Sequence, residues 1–131
     1  MRTIKFRGKS LLKGKWIYGH LLDAKCGENL MIQVNVSETL GVDDNTVGQF
    51  TGLYDRNGKE IYEGDIIISD EYKHTRHYVR YMESEAMFVA MIIGSSLEEY
   101  CGIRQSWIDK FSKRVVGNIH DNPELLSNEI K

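Results

Sequence analysis

The stretch TVGQFTGLYDRNGKEIYEGDIII, residues 46–68, constrains the fold more than any other part of the chain. Gly52-Leu53-Tyr54 is one short run of β-formers and Ile61-Tyr62 opens the next, with Asp55-Arg56-Asn57-Gly58-Lys59 between them. Two turn geometries fit those intervening residues. Asn57-Gly58 can supply the paired positive φ angles of a two-residue hairpin turn. A type I turn can equally start at Asp55 and place Gly58 in αL as a bulge. Either way the chain reverses, because glycine takes positive φ without steric cost. A second break at Glu63-Gly64-Asp65 leads into Ile66-Ile67-Ile68, β-branched residues suited to a strand buried on both faces. Antiparallel strands joined this tightly need no crossover helix.

Ahead of this stretch, Thr3 to Phe6 alternates weakly and stops at Gly8, which gives a short strand. Lys13-Gly14-Lys15 is turn-like. Trp16 to Leu22 is a run of β-formers, with Trp16, Tyr18 and His20 on one face and Ile17, Gly19 and Leu21 on the other. Asp23 to Asn29 reads as a polar loop containing Gly27. Leu30 to Val36 alternates Ile32, Val34 and Val36 with Gln33 and Asn35, the pattern of a half-buried strand. Ser37 to Asn45 reads as a connection in which Asp44 or Asn45 caps a single helical turn before Val47.

Beyond it, Asp70 to Thr75 reads as a polar loop and His77 to Met82 as an alternating strand. Glu83-Ser84-Glu85 is a turn. Ala86 to Ile93 is a nearly continuous apolar run whose flanking turns and Gly94 favour a strand over a helix. Overlapping S-x-x-E capping boxes in Ser95-Ser96-Leu97-Glu98-Glu99 predict a short helix ending near Gly102. Trp107 and Phe111 are expected core anchors. Lys113 to His120 reads as a last strand with Gly117 as a bulge. Asn122 as cap, Pro123 at the first helical position and Glu124 in the first turn mark a C-terminal helix, with Leu125, Leu126 and Ile130 as its apolar face. A helix this short is marginal alone and is expected to dock on the sheet.

A chain of 131 residues with 41% hydrophobic and 27% charged residues has the size and composition of one globular domain, here with a point of subdivision near residues 45–50. That length supports a core without disulfides or metals. No apolar run is long enough to span a bilayer, and the basic N-terminus lacks the apolar segment of a secretory signal. Cys26 and Cys101 are far apart and outside any C-x-x-C pattern, which fits a reducing compartment. The net charge of −2 is unevenly placed: residues 1–22 carry six bases and no acid, while residues 23–65 carry nine acids and three bases. A basic end followed by an acidic middle suits nucleic acid, a protein partner or a second copy of the chain.

Three blocks, IKFRGK with GKWIYGHL, the central TVGQFTGLYDRNGKEIYEGDIII, and VVGNIHDNPELL, resemble in order and spacing the YopX family of phage and prophage proteins. The resemblance runs end to end except for roughly residues 69–112. It implies a mostly-β protein of phage origin working in the bacterial host cytoplasm. It carries over no activity and no catalytic residues.

The residues themselves offer candidate sites of unequal weight. Glu60, Glu63 and Asp65 are three acids close in sequence, the raw material of a small hydrolase. Neighbours on a strand alternate faces, however, and Asp65 after Gly64 suits accepting backbone N–H groups in the turn. His20, His74, His77 and His120 do not combine with the cysteines into a zinc pattern, and His74 and His77 are expected in a solvated loop. Neither G-x-S-x-G nor a phosphate-binding glycine loop occurs. No cofactor, metal or small-molecule substrate is signalled. The binding candidates are Lys5, Arg7, Lys9, Lys15 and Trp16, since bases mixed with aromatics can hold phosphates and stack on bases. A sequence pI near 6.1 argues against a dedicated nucleic-acid binder. Tyr54, Tyr62, Tyr78 and Tyr81 can similarly form a protein-facing patch.

The expectation is a mainly β protein of antiparallel sheets forming partly open barrel-like units with a short C-terminal helix. Its expected role is that of a non-enzymatic phage accessory protein that binds a macromolecule or itself. Direct nucleic-acid binding through the N-terminal strand and hydrolysis near Asp65 are the competing readings.

Overall fold

The computed structural model describes residues 1–23, 29–72, 74–95 and 97–127. They form eleven strands in two antiparallel sheets, neither closed into a barrel. By contact the chain divides into two compact units, Met1–Gly52 and Leu53–Lys131.

In the first unit, β1 (Phe6–Lys9), β2 (Trp16–Leu22), β3 (Met31–Asn35) and β4 (Glu38–Gly41) form a meander, and β5 (Gly48–Tyr54) pairs with the free side of β1. The sheet order is β4-β3-β2-β1-β5-β6, with β6 (Glu60–Tyr62) contributed by the second unit's stretch of chain. Ile32, Val42 and Phe50 are buried in this unit. Gly8 lies against Val42, where a Cβ would stand 3.1 Å from that side chain. A 3-10 turn, Asp44–Thr46, stands where a helical turn was expected, but its cap is Asp43, whose carboxylate accepts from Asn45 N.

Three readings fail in this unit. The first strand begins at Phe6 rather than Thr3 and runs through Gly8 to Lys9. Val36 does not continue the buried face of its strand; it is 98% exposed at the tip of the β3–β4 hairpin. Part of the expected connection, residues 38–41, is itself a strand. Glu38-Thr39-Leu40-Gly41 is a weak β-former, and pairing with β3 is what makes it extended. Cys26 and Gly27 lie outside the described residues.

The central turn takes one of the two geometries open to it. Gly58 has φ +80° while Asn57 stays at negative φ, Gly58 N donates to the Asp55 carbonyl, and Asp55 N donates to the Lys59 carbonyl. This is the type I turn with a glycine bulge. The second break, at Gly64 (φ +91°), does more than turn a hairpin. It carries the chain from β6 into β7 (Asp65–Ser69), which belongs to the other sheet.

That sheet, in the second unit, has the order β10-β9-β8-β7-β11. It comprises β7, β8 (Arg76–Met82), β9 (Met87–Ile92), β10 (Tyr100–Gly102) and β11 (Lys113–Asn118). The six-residue helix α1 (Gln105–Lys110) precedes β11. Ile61, Ile67, Val79, Ile103 and Ile108 form the core, and Leu53, Phe88, Trp107 and Val115 pack against it. Burying each such isoleucine contributes about 1.5–3 kcal/mol.

The S-x-x-E signal misleads: Tyr100–Gly102 is a strand on the edge of β9, because Ile92 N donates to the Glu99 carbonyl and main-chain pairing outcompetes a cap. The α-helix lies after it, over Gln105–Lys110, without a side-chain cap. The ladder between β7 and β11 shifts register between Val115 and Gly117, where a bulge was expected. Pro123 opens the C-terminal helix as read, but the element is a four-residue 3-10 turn, Pro123–Leu126. The Asn122 side chain does not cap it; its Oδ1 accepts from Asn118 N instead. Ile130 lies outside the described residues.

Candidate functional site

Antiparallel pairing sets one face of the first sheet. Arg7 lies opposite Tyr18 and Gly48, and Lys9 lies opposite Trp16, so these side chains share a face. The Arg7 guanidinium stands 4.5 Å from the centre of the Trp16 ring and the Lys9 ammonium 5.5 Å from it. Lys5 stands 5.5 Å over Phe50. Each such cation–ring contact contributes about 0.5–2 kcal/mol, more where water is excluded. Arg7 is only 4% exposed, so its charge is held within the sheet. Lys15 does not join this row. It is exposed at the entry to β2, where its carbonyl accepts from Ser10 N.

Lys15 instead belongs to a cleft of about 460 Å³ beside the β1–β2 turn. Leu11, Leu12, Trp16, Ile17 and Leu40 give it apolar walls, and Lys13, Lys15 and Glu38 give it charge. Trp16 is therefore shared by the cation row and the cleft. The turn is fixed from below: Leu11 N donates to the Gly41 carbonyl, Gly14 N to the Ser10 carbonyl, and Lys13 N to Ser10 Oγ. With its backbone held, the turn presents Leu12 at 90% exposure and Leu11 at 52%. Sequence reading found Lys15 and Trp16 but not the leucines. Leu11-Leu12 carries no periodicity, and only the pairing of the turn with the end of β4 makes a wall of them.

Two of the acids near Asp65 are engaged in hydrogen bonds to Tyr62. Asp65 is buried, and its carboxylate accepts from Tyr62 N at 2.8 Å, the turn role that its place after Gly64 suggested. Glu60 accepts from the Tyr62 hydroxyl at 3.1 Å. Among the described residues no group of three His, Cys, Asp or Glu side chains could hold a metal ion.

Of the two histidines expected in a solvated loop, His74 alone is there. His74 is exposed, but His77 sits on β8 and is 5% exposed. Its ring meets Trp107 edge-on, with centres 5.4 Å apart. Alternation along β8 buries His77 together with Val79, so register with β7 and β9 decides its environment. Burial, helped by the charge of Lys113, lowers its pKa to about 4. Lys113, at the start of β11, is equally covered and places its ammonium 4.6 Å from the Trp107 ring centre and 6.0 Å from that of Phe111. Burial lowers the Lys113 pKa, against a smaller opposite pull from Cys101. Burial raises the Cys101 pKa, and Lys113 partly offsets the rise. These residues come from β8, β10, α1 and β11, and no local motif joins them.

A family model described as YopX protein matches residues 5–127. Among solved structures, the crystal structure of protein EF1440 from Enterococcus faecalis is similar at 23% identity with a TM-score of 0.62, covering 97% of this chain and 100% of that one. The X-ray structure of protein yopX from Bacillus subtilis is similar at 19% identity with a TM-score of 0.55, covering both chains completely. Both likenesses concern the fold. A comparison with curated proteins found no match. Among the described residues no helix is long and apolar enough to cross a membrane.

Proposed function

The chain belongs to the YopX family, and from that premise we propose that it is a non-enzymatic binding module, an accessory protein of a phage or prophage acting in the host cytoplasm. Its docking surface is the cleft at the β1–β2 turn. Its occupant is a segment of a partner protein that carries an apolar side chain flanked by carboxylates. The observation that supports this is the cleft itself: about 460 Å³ lies within the range of ligand-binding cavities, and its walls are apolar. Lys13 and Lys15 on its border complement acidic residues on the partner. Leu12, almost wholly exposed on a fixed turn, fits the role of a contact residue.

The test is affinity capture from infected cells with nuclease treatment, comparing the wild type with Leu12→Asp and Lys15→Glu. Support is a protein recovered after nuclease, cross-linked to the turn, and lost with either variant while melting stays unchanged. Recovery that is indifferent to both variants removes the cleft from the binding surface. Sedimentation of the purified chain shows whether the occupant is a second copy: an oligomer that Leu12→Asp dissociates would assign that role.

A second reading, nucleic-acid binding, draws on the cations of Lys5, Arg7 and Lys9 ranged over Phe50 and Trp16. Against it, Arg7 is buried and acids outnumber bases by 19 to 17. If it holds, affinity for single-stranded DNA or RNA falls steeply with salt and drops in Lys9→Ala. Hydrolysis has the least support, since it would need the buried Asp65 carboxylate to reach a substrate.

A further inference from the structure

In the second unit, Tyr72, His77, Cys101, Trp107, Phe111 and Lys113 line a cavity of about 180 Å³. Two of its groups are chemically incomplete. Lys113 is 5% exposed, yet among the described residues its ammonium has no carboxylate partner and no hydrogen bond. It lies over the rings of Trp107 and Phe111. A largely covered cation is ordinarily offset by a counter-charge, because partial withdrawal from water weakens its solvation. His77 Nδ1 is likewise buried without a hydrogen-bond partner, whereas most buried side-chain polar atoms have one.

We propose that this cavity binds a small monocarboxylate with a flat apolar body. Its carboxylate pairs with the Lys113 ammonium and accepts from His77 Nδ1, and its body lies among Trp107, Phe111 and Tyr72. The size sets the scale of the ligand: the pocket is open to solvent on one side, and about 180 Å³ suits a single ring or a short chain lying in it. The charge sets its valence. Among the described residues that line the cavity Lys113 is the one lysine or arginine, and the lowered His77 pKa of about 4 leaves the imidazole neutral near pH 7. One negative charge is therefore matched, while a phosphate dianion would be left half compensated. The aromatic walls favour a flat apolar body over a hydrated one.

The probe is sodium benzoate, titrated at constant ionic strength and followed by NMR of the Trp107 indole and the His77 ring. Benzyl alcohol serves as the neutral isostere and inorganic phosphate as the competing anion. The expected result is saturable shifts at both residues with a Kd of about 1 mM or tighter and a rise in melting temperature. Benzyl alcohol and phosphate should bind at least roughly tenfold more weakly. Lys113→Met and Lys113→Gln should each weaken benzoate roughly tenfold or more with the fold intact by circular dichroism. If both variants fail to fold, the wild-type comparison of benzoate with benzyl alcohol decides alone. No saturation by about 20 mM benzoate, equal binding of the alcohol, tighter binding of phosphate, or full binding by a folded Lys113 variant each overturns the proposal.

Discussion

Replacing Asp55 tests how the central turn is held. The Asp55 carboxylate is buried and serves the turn and a strand at once. One oxygen accepts from Asn57 N at 2.8 Å and Lys59 N at 2.9 Å, which closes the turn. The other accepts from Val115 N at 3.0 Å, on β11. Asp55→Asn keeps the size but leaves only one oxygen. If that oxygen stays in the turn, the new NH2 group faces the N–H of half-buried Val115. One charge-assisted bond is lost and a donor is stranded, a cost of about 2 kcal/mol. Asp55→Ala loses all three bonds. Water can reach Asn57 and Lys59, both exposed, so the total is about 3–4 kcal/mol rather than three times the single loss. Urea unfolding at fixed pH reads both values, provided the slope against urea is unchanged. Asp55→Asn unfolding within about 0.5 kcal/mol of the wild type would show that the carboxylate does not hold the turn to β11.

Three further outcomes are expected. His77 has a folded pKa of about 4, below the unfolded value of 6.5. Its stabilising effect is therefore complete above about pH 6.5 and is lost as pH falls through the folded pKa, amounting to about 3 kcal/mol; urea midpoints of wild type and His77→Phe that stay parallel between about pH 7 and 4 would contradict this. In Gly19→Ala the new Cβ would stand 2.0 Å from the Gln33 carbonyl oxygen, so β2 and β3 must separate at a cost of about 3 kcal/mol or more, and an unshifted melting temperature would show that the close approach is absent. Arg114 pairs with Asp70 at 2.9 Å in an arrangement that also includes Arg56, all of it partly exposed; Arg114→Ala should cost no more than about 1 kcal/mol and less in high salt, and a larger, salt-independent loss would count against that.

Much of the strand order could be read because turns advertise themselves. Gly58 and Gly64 stand where the backbone takes positive φ, and glycine is the residue that does so freely. Ile66 and Ile67 announce a strand covered on both sides, and they are fully buried. What escaped depends on pairing partners distant along the chain. Glu38–Gly41 and Tyr100–Gly102 are extended because β3 and β9 offer open edges, not because their residues favour it. The candidate sites divide the same way. Lys9 and Trp16 could be associated from sequence because adjacent strands place them opposite each other. His77, Trp107 and Lys113 could not, since 36 positions separate the first from the last and only the sheet order assembles them.

Trp16 and Trp107 are the chain's two tryptophans, and one lies in each compact unit. Each has a cation within 5 Å of its ring centre, Arg7 for the first and Lys113 for the second. The molecule thus carries a built-in pair of optical reporters, whose emission is tuned by a neighbouring charge that departs when the surroundings open. Trp16→Phe silences one and Trp107→Phe the other, so the loosening of each half can be timed without any attached dye. Superimposable traces would mean that both halves give way as one cooperative body; displaced traces would date the order in which they come apart.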